Sequence, residues 1–137
     1  ASMYGNTESA AQALAAQLCE KGVTNVRVYD VSKTHVSYLV AEAFKYSHIV
    51  LASVTYNLNI YPVMEDFLHH LKVLNLSKRV FGIIENGSWA PTAAKTMLKM
   101  FEGSKNLTFT DTTVQIKAAL NDASLAQIDA LADELCK

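Results

Sequence analysis

The first eight residues run from a loop of small and hydroxyl side chains directly into a helix. Their order is Ala1-Ser2-Met3-Tyr4-Gly5-Asn6-Thr7-Glu8. Ser2 and Thr7 offer hydroxyl donors, Asn6 offers an amide, and Gly5 lets the backbone approach an anion closely. A helix that begins near Thr7 directs its unpaired N–H groups and the positive end of its dipole toward the same point. This pattern predicts a phosphate-binding loop, which needs a strand in front of it, and that strand would lie before Ala1.

Helical and extended patterns alternate along the rest of the chain. Helices are predicted over residues 7–21, 34–45 and 124–136, and two more start at Pro62 and Pro91. Strands are predicted over 25–31, 47–53, 79–84 and 107–117, the last interrupted at Asp111 and Thr112. The apolar run from Ile49 to Ala52 is typical of a central parallel strand that is buried on both faces. The alternation predicts a single α/β domain over residues 1–137, with helices on both faces of a parallel sheet.

Composition excludes several classes of function. The formal net charge is -1, so the chain carries no basic surplus for nucleic acid or an anionic membrane surface. It contains no apolar run of about 18 residues that would span a bilayer. Cys19 and Cys136 match no metal spacing; Cys19 is expected to be a buried thiol, and two isolated cysteines favour a reducing, cytoplasmic setting. His69 and His70 point about 100° apart on a helix, so they are expected to be surface residues and not metal ligands.

Two further loops follow predicted strands and therefore share an edge of the sheet with the first loop. The second loop spans residues 53–61 and contains Tyr56; the third spans residues 85–90 and contains Trp89. Aromatic faces can stack on a flat conjugated ring, and amide and backbone groups can bind its polar edge. A phosphate at one end and a flat ring at the other describe flavin mononucleotide (FMN).

The motifs resemble those of the flavodoxin-like proteins, and most closely the flavodoxin domain of the A-type flavoproteins, or flavodiiron proteins. The first loop is similar to their Ser-Met-Tyr-Gly-Asn-Thr-Glu loop, and Ser53-Val54-Thr55-Tyr56-Asn57 is similar to their Ser-Pro-Thr-Tyr-Asn loop. The segment Val114–Lys117 resembles another short segment near the end of that domain. The third loop, Glu85-Asn86-Gly87-Ser88-Trp89, departs from a glycine-rich family form, and we expect the Glu85 carboxylate near the polar edge of the ring. Such a charge would lower the reduction potential.

The resemblance implies a flavodoxin-like three-layer sandwich with a five-stranded parallel sheet in the order 2-1-3-4-5, the first strand being absent from this sequence. It also implies FMN as the cofactor and no catalytic or metal-binding residue. The implied cofactor-binding residues are Ser2, Met3, Tyr4, Gly5, Asn6, Thr7, Ser53, Val54, Thr55, Tyr56, Asn57, Asn86, Gly87, Ser88 and Trp89.

The function implied by the resemblance is electron transfer, by one-electron steps, to a redox partner. In the family the partner is a diiron domain that reduces oxygen or nitric oxide, rubredoxin, or an NAD(P)H-dependent reductase, and a homodimer is plausible by analogy alone. The chain is then expected to be either a flavodoxin domain of a larger protein or a free-standing relative, and the absent first strand favours a fragment or an incomplete N-terminus. Two alternatives stay open: an FMN-dependent NAD(P)H or quinone reductase, for which Tyr56 and Trp89 would have to leave a ring face open, and a flavin-free interaction module, against which the intact first loop argues.

Overall fold

The computed structural model describes most of the chain: residues 6–56, 59–60, 62–86, 93–102, 104, 106–116 and 121–136. Five helices are found there: α1 (Asn6–Glu20), α2 (Val36–Lys45), α3 (Pro62–Val73), α4 (Ala93–Met100) and α5 (Asp122–Leu135). The strands are β1 (His48–Tyr56), β2 (Asn59–Ile60), β3 (Arg79–Asn86) and β4 (Leu107–Ile116). This is the predicted α/β alternation, and the flavodoxin-like fold is confirmed.

The sheet has the order β2-β1-β3-β4 among these residues. β1 pairs in parallel with β3, and β3 pairs in parallel with β4. The order β1-β3-β4 corresponds to strands 3, 4 and 5 of the predicted order 2-1-3-4-5. The short β2 was not predicted; it pairs antiparallel with the end of β1, where Thr55 faces Ile60 and Tyr56 faces Asn59.

Helices cover both faces of this sheet. On one face, α2, α3 and α4 pack over Leu51, Phe81 and Ile83. On the other face, α1 and α5 pack over a second buried cluster that includes Ile84 and Val114. Strand residues that alternate in sequence therefore serve different helix layers, as the pleat of a strand requires.

The predicted strand at residues 25–31 is wrong. Residues 23–30 carry no strand assignment, and they pair with no strand of the described part. In the order 2-1-3-4-5 this segment would pair with a first strand, and no strand among the described residues corresponds to it. A strand exists only through ladder hydrogen bonds to a neighbour, so the apolar pattern alone does not create one. Tyr29 still packs against the core beneath α2 and α3.

The predicted break in the last strand is a bulge and not an interruption. Phe81 faces Phe109 and Ile83 faces Thr113, so β4 accommodates two extra residues between these pairs. β4 nevertheless continues through Asp111 and Thr112. Beyond β4, α5 begins with a reciprocal cap, in which Asn121 and Ser124 each accept a hydrogen bond from the other's backbone N–H. This cap fixes where α5 starts.

Several apolar side chains are more exposed than their pattern predicts. Cys19 is exposed, so its prediction as a buried thiol is wrong, and Cys136 is exposed as well. Phe44, Leu98 and Leu125 are apolar residues of α2, α4 and α5, yet each is 41% exposed. They lie at the edges of the apolar faces of these helices. The sequence does not show whether the sheet extends far enough to cover those edges.

Candidate functional site

The carboxyl ends of β1, β3 and β4 are aligned at one edge of the sheet. Ser53 of β1 is in register with Glu85 of β3, which is in register with Gln115 of β4. Neighbouring strands are about 4.8 Å apart, so these three residues form a polar row across the sheet. The following row consists of Val54, Asn86 and Ile116. Because the ends of parallel strands are where such folds bind ligands, this edge is the candidate site.

The start of α1 reaches this edge through a hydrogen bond between two buried side chains. The amide Nδ2 of Asn86 donates to Oγ1 of Thr7 over 3.3 Å. Thr7 is 1% exposed and Asn86 is 7% exposed. Thr7 lies in the first turn of α1, where backbone N–H groups lack partners within the helix. The two predicted site residues, 79 positions apart in sequence, thus meet at a helix N-terminus. The Thr7 hydroxyl accepts in this bond and keeps its own proton to donate.

The sequence analysis predicted that Glu85 lies in a loop. In the structure it belongs to β3. Its side chain is 3% exposed and points to the face that α4 covers. Oε2 accepts a hydrogen bond of 2.8 Å from the backbone N–H of Ala94, in the first turn of α4. Oε1 accepts another of 2.8 Å from Nε2 of Gln115 on β4. The carboxylate therefore joins the end of β3 to a helix and to the next strand.

The structure places the remaining predicted residues as follows. Ser53 lies near the end of β1. It is completely buried and takes part in a polar contact with another residue. Val54, Thr55 and Tyr56 were predicted to lie in the second loop, but their backbone forms the last residues of β1. Asn6 is the first residue of α1. The other predicted site residues lie outside the described part of the chain: Ser2, Met3, Tyr4, Gly5, Asn57, Gly87, Ser88 and Trp89.

Gln115 is the residue at this edge that the sequence analysis missed as a contact. It was noted only within a segment of resembling sequence, and its partner Glu85 was expected to face a ligand. The available signal is a polar residue between the apolar Val114 and Ile116 at the end of a strand, on the same face as a buried carboxylate. That signal becomes readable only when the register of β3 and β4 is known.

No helix in the described part of the chain has both the length and the apolar character needed to cross a membrane. In the same residues, no group of three or more His, Cys, Asp or Glu side chains is arranged to hold a metal ion. The His70 Nδ1 atom lies 2.8 Å from the Asp66 carbonyl oxygen, on its own helix.

Comparison with known proteins gives consistent results. The flavodoxin family model matches residues 1–128. A protein of Methanocaldococcus jannaschii with no characterised function is 30% identical over 107 residues, which are 78% of this chain and 26% of that protein. The chain thus spans about a quarter of the length of this relative.

Solved structures share the fold. Rubredoxin oxygen:oxidoreductase of Desulfovibrio gigas matches with a TM-score of 0.89 and 23% identity, over 96% of this chain and 32% of that one. The flavodiiron protein of Giardia intestinalis matches with a TM-score of 0.85 and 18% identity, over 96% of this chain and 33% of that one. A flavodoxin of Streptococcus pneumonia TIGR4 matches with a TM-score of 0.83 and 22% identity, over 98% of this chain and 92% of that one.

The fold and the polar edge of its sheet define a flavodoxin-like α/β protein. By the family match over residues 1–128, the chain belongs to the flavodoxin family. Its structural neighbours include both free flavodoxins and the flavodoxin domains of flavodiiron proteins. Membership of this family implies a flavin cofactor.

Proposed function

We propose that residues 1–137 form an FMN-binding domain that transfers electrons to a redox partner. The observation that carries this proposal is the buried hydrogen bond between Asn86 and Thr7, which joins the N-terminus of α1 to the carboxyl end of β3. Family membership supports a flavin as the ligand, and this contact supports the proposal that its phosphate binds at the start of α1.

The chemistry at the start of α1 fits a phosphate group. The Thr7 hydroxyl can donate to an anion, while Asn86 holds its oxygen in one orientation. The first N–H groups of α1 and the positive end of its dipole favour negative charge at the same point. The two side chains of this contact are uncharged, whereas Glu8, which follows Thr7 in the first turn of α1, is acidic and exposed to solvent. Ser2, Met3, Tyr4, Gly5 and Asn6 complete the proposed phosphate loop by sequence.

The isoalloxazine ring is assigned to the other two loops. Ser53 to Asn57 would hold one side of it, and Gly87 to Trp89 would hold the other, with Tyr56 and Trp89 as the aromatic contacts. When bound, FMN supplies the redox chemistry, because its ring accepts and releases electrons. The protein's own residues bind the phosphate, orient the ring and limit the access of water. No side chain has to act as an acid, base or nucleophile.

The partner of this domain is proposed from its relatives. Rubredoxin oxygen:oxidoreductase and the flavodiiron proteins contain a domain of this fold within a chain three times as long. A diiron domain, rubredoxin or an NAD(P)H-dependent reductase is therefore the proposed class of partner, in the cytoplasm, with a homodimer as one possible assembly by analogy. If the domain is instead a reductase itself, the purified FMN complex will oxidise NAD(P)H rapidly without any partner.

Titration with FMN tests the proposal. Binding should quench flavin fluorescence, and the purified complex should be yellow, with absorbance at about 450 nm. Thr7→Val removes the hydroxyl while keeping the shape of the side chain, and a lost hydrogen bond to a charged group corresponds to about 1.5–3 kcal/mol. We therefore expect its Kd for FMN to rise by about tenfold to a hundredfold. Thr108→Val, at an exposed position near the start of β4, is the matched control and should bind as the wild type does. A protein that stays colourless and takes up no added FMN would refute the proposal.

A further inference from the structure

We propose that Glu85 is a positioning residue for the phosphate end of this site, acting on Thr7 through Asn86. The inference rests on the proposed function, because its effect is measured as FMN affinity. It replaces the expectation that the Glu85 carboxylate acts on the flavin ring by its charge.

On one face of the sheet, the Glu85 side chain is held by a helix and by the neighbouring strand. Its carboxylate takes one hydrogen bond from the Ala94 N–H and one from Gln115, each of 2.8 Å. The side chain is 3% exposed, so water does not replace these donors easily. A buried hydrogen bond that loses one partner leaves the other unsatisfied, at a cost that is larger than the bond's net contribution. Glu85 therefore fixes the end of β3 relative to α4 and β4.

The next residue of β3, Asn86, makes its contact on the opposite face of the sheet. Successive side chains of a strand point to opposite faces, so Asn86 faces α1 while Glu85 faces α4. The Asn86–Thr7 bond measures 3.3 Å, close to the upper limit for a hydrogen bond. A shift of a few tenths of an ångström in the last residues of β3 is enough to break it. The orientation of the Thr7 hydroxyl thus depends on what holds Glu85.

Two substitutions of Glu85 distinguish an effect of its hydrogen bonds from an effect of its charge. Glu85→Gln removes the charge but can keep both contacts: its oxygen accepts from Ala94, and its NH₂ donates to Gln115 once the Gln115 amide turns over. Glu85→Leu removes both contacts and has a similar volume. A positioning role predicts that Gln rescues and Leu does not, whereas a direct effect of charge on the cofactor predicts that both variants behave alike.

The chain offers a matched control in a second glutamate that joins a helix to the sheet. Glu134 of α5 is half-buried and accepts hydrogen bonds from the backbone N–H and the hydroxyl of Thr112 in β4. Like Glu85, it accepts hydrogen bonds from a backbone N–H and from a side chain. It lies near the C-terminus of α5, however, whereas the N-terminus of that helix follows the carboxyl end of β4, where the candidate site is. Glu134→Leu should therefore lower stability without changing FMN affinity.

The experiment measures the FMN Kd of these variants by fluorescence titration, together with hydrogen exchange of the Ala94 amide in the FMN-free proteins. We expect Glu85→Leu to raise the Kd by about tenfold or more and to speed exchange at Ala94. We expect Glu85→Gln to stay within about twofold of the wild type in both measurements, and Glu134→Leu to leave both unchanged. The inference is overturned if Glu85→Gln binds as weakly as Glu85→Leu, or if Glu134→Leu weakens binding as much.

Two further points keep the test decisive. If Glu85→Leu does not fold, Gln115→Met removes only the contact to Oε1, and a Kd equal to that of the wild type would then contradict the inference. The hydrogen-exchange measurement uses protein without FMN, so it reports on the attachment of Glu85 to α4 even if no variant binds flavin. Absence of FMN binding by the wild type would therefore refute the proposed function, and unchanged exchange at Ala94 in Glu85→Leu would refute the attachment.

Discussion

Replacing Asn86 by Asp introduces a negative charge where we place the phosphate, with almost no change of shape. In the structure, the Asn86 amide donates to the Thr7 hydroxyl. A carboxylate at this position can only accept, so the Thr7 hydroxyl would turn its proton toward residue 86. The variant thus removes the hydroxyl donor from the phosphate and adds a like charge next to it. Both changes weaken the binding of a phosphate, and neither acts on the ring.

The size of the effect follows from the geometry. The Asn86–Thr7 distance is 3.3 Å, and a phosphate oxygen bound to Thr7 would lie about 2.7 Å beyond it. The two negative charges would then be at most about 6 Å apart, which gives about 3 kcal/mol per unit charge at an effective dielectric constant of about 20. With the charge of a phosphomonoester and screening by physiological salt, about 2–4 kcal/mol remains. We expect the FMN Kd to rise by about thirtyfold to a thousandfold.

Riboflavin provides the internal control, because it has the ring of FMN but no phosphate. Fluorescence titrations with both ligands should show that Asn86→Asp weakens FMN binding strongly and riboflavin binding little. Asn25→Asp adds the same charge at an exposed position and should leave both affinities unchanged. Urea unfolding of each variant verifies that it is folded. An equal loss for FMN and riboflavin would mean that the substitution damages packing, and would refute the placement of the phosphate at Thr7.

Three further predictions concern stability and pH. Arg79→Met removes guanidinium hydrogen bonds to the last carbonyls of α2 and to the preceding turn, and should lower the free energy of unfolding in urea by about 1–3 kcal/mol; an unchanged midpoint would contradict this capping role. Gly82→Ala places a Cβ 3.1 Å from Cδ1 of the fully buried Leu131 and should cost about 1–3 kcal/mol, again by urea unfolding. Hydrogen bonds from Ser32 lower the pKa of Asp30 below its ordinary 3.8. Asp30 therefore contributes stability that is present above that value and is lost as the pH falls through its folded pKa. Ser32→Ala should raise the pKa measured by NMR titration of the carboxyl and flatten the acid dependence; an unmoved pKa would refute the assignment.

The parts of the fold that depend on local chemistry could be predicted from the sequence. Pro62 begins α3 where it was expected, because proline is suited to the first position of a helix. The apolar run in β1 is central and parallel as predicted, with Leu51 buried on one face of the sheet. The position of Thr7 at the start of a helix was also readable, since small and hydroxyl residues precede an amphipathic pattern.

The parts that depend on pairing could not be predicted. The segment at 25–31 has the alternation of a strand, but a ladder needs a neighbour, and local sequence does not report one. Glu85 looked like a loop residue because it is charged, yet its partners Ala94 and Gln115 are 9 and 30 positions away. Only the register of β3 and β4 explains why a carboxylate is buried at that position. The same holds for the Asn86–Thr7 bond, which relates two motifs that were each predicted separately.

The end of β3 has a thermodynamic consequence. Its last two side chains attach to different layers, Glu85 to α4 and Asn86 to α1. When one rigid element joins two sites, the free energy of coupling between them is reciprocal. Whatever tightens α4 against Glu85 should strengthen ligand binding at Thr7, and a ligand at Thr7 should by the same factor protect the Ala94 amide. A redox partner that docks on the α4 layer could therefore alter cofactor retention without touching the cofactor.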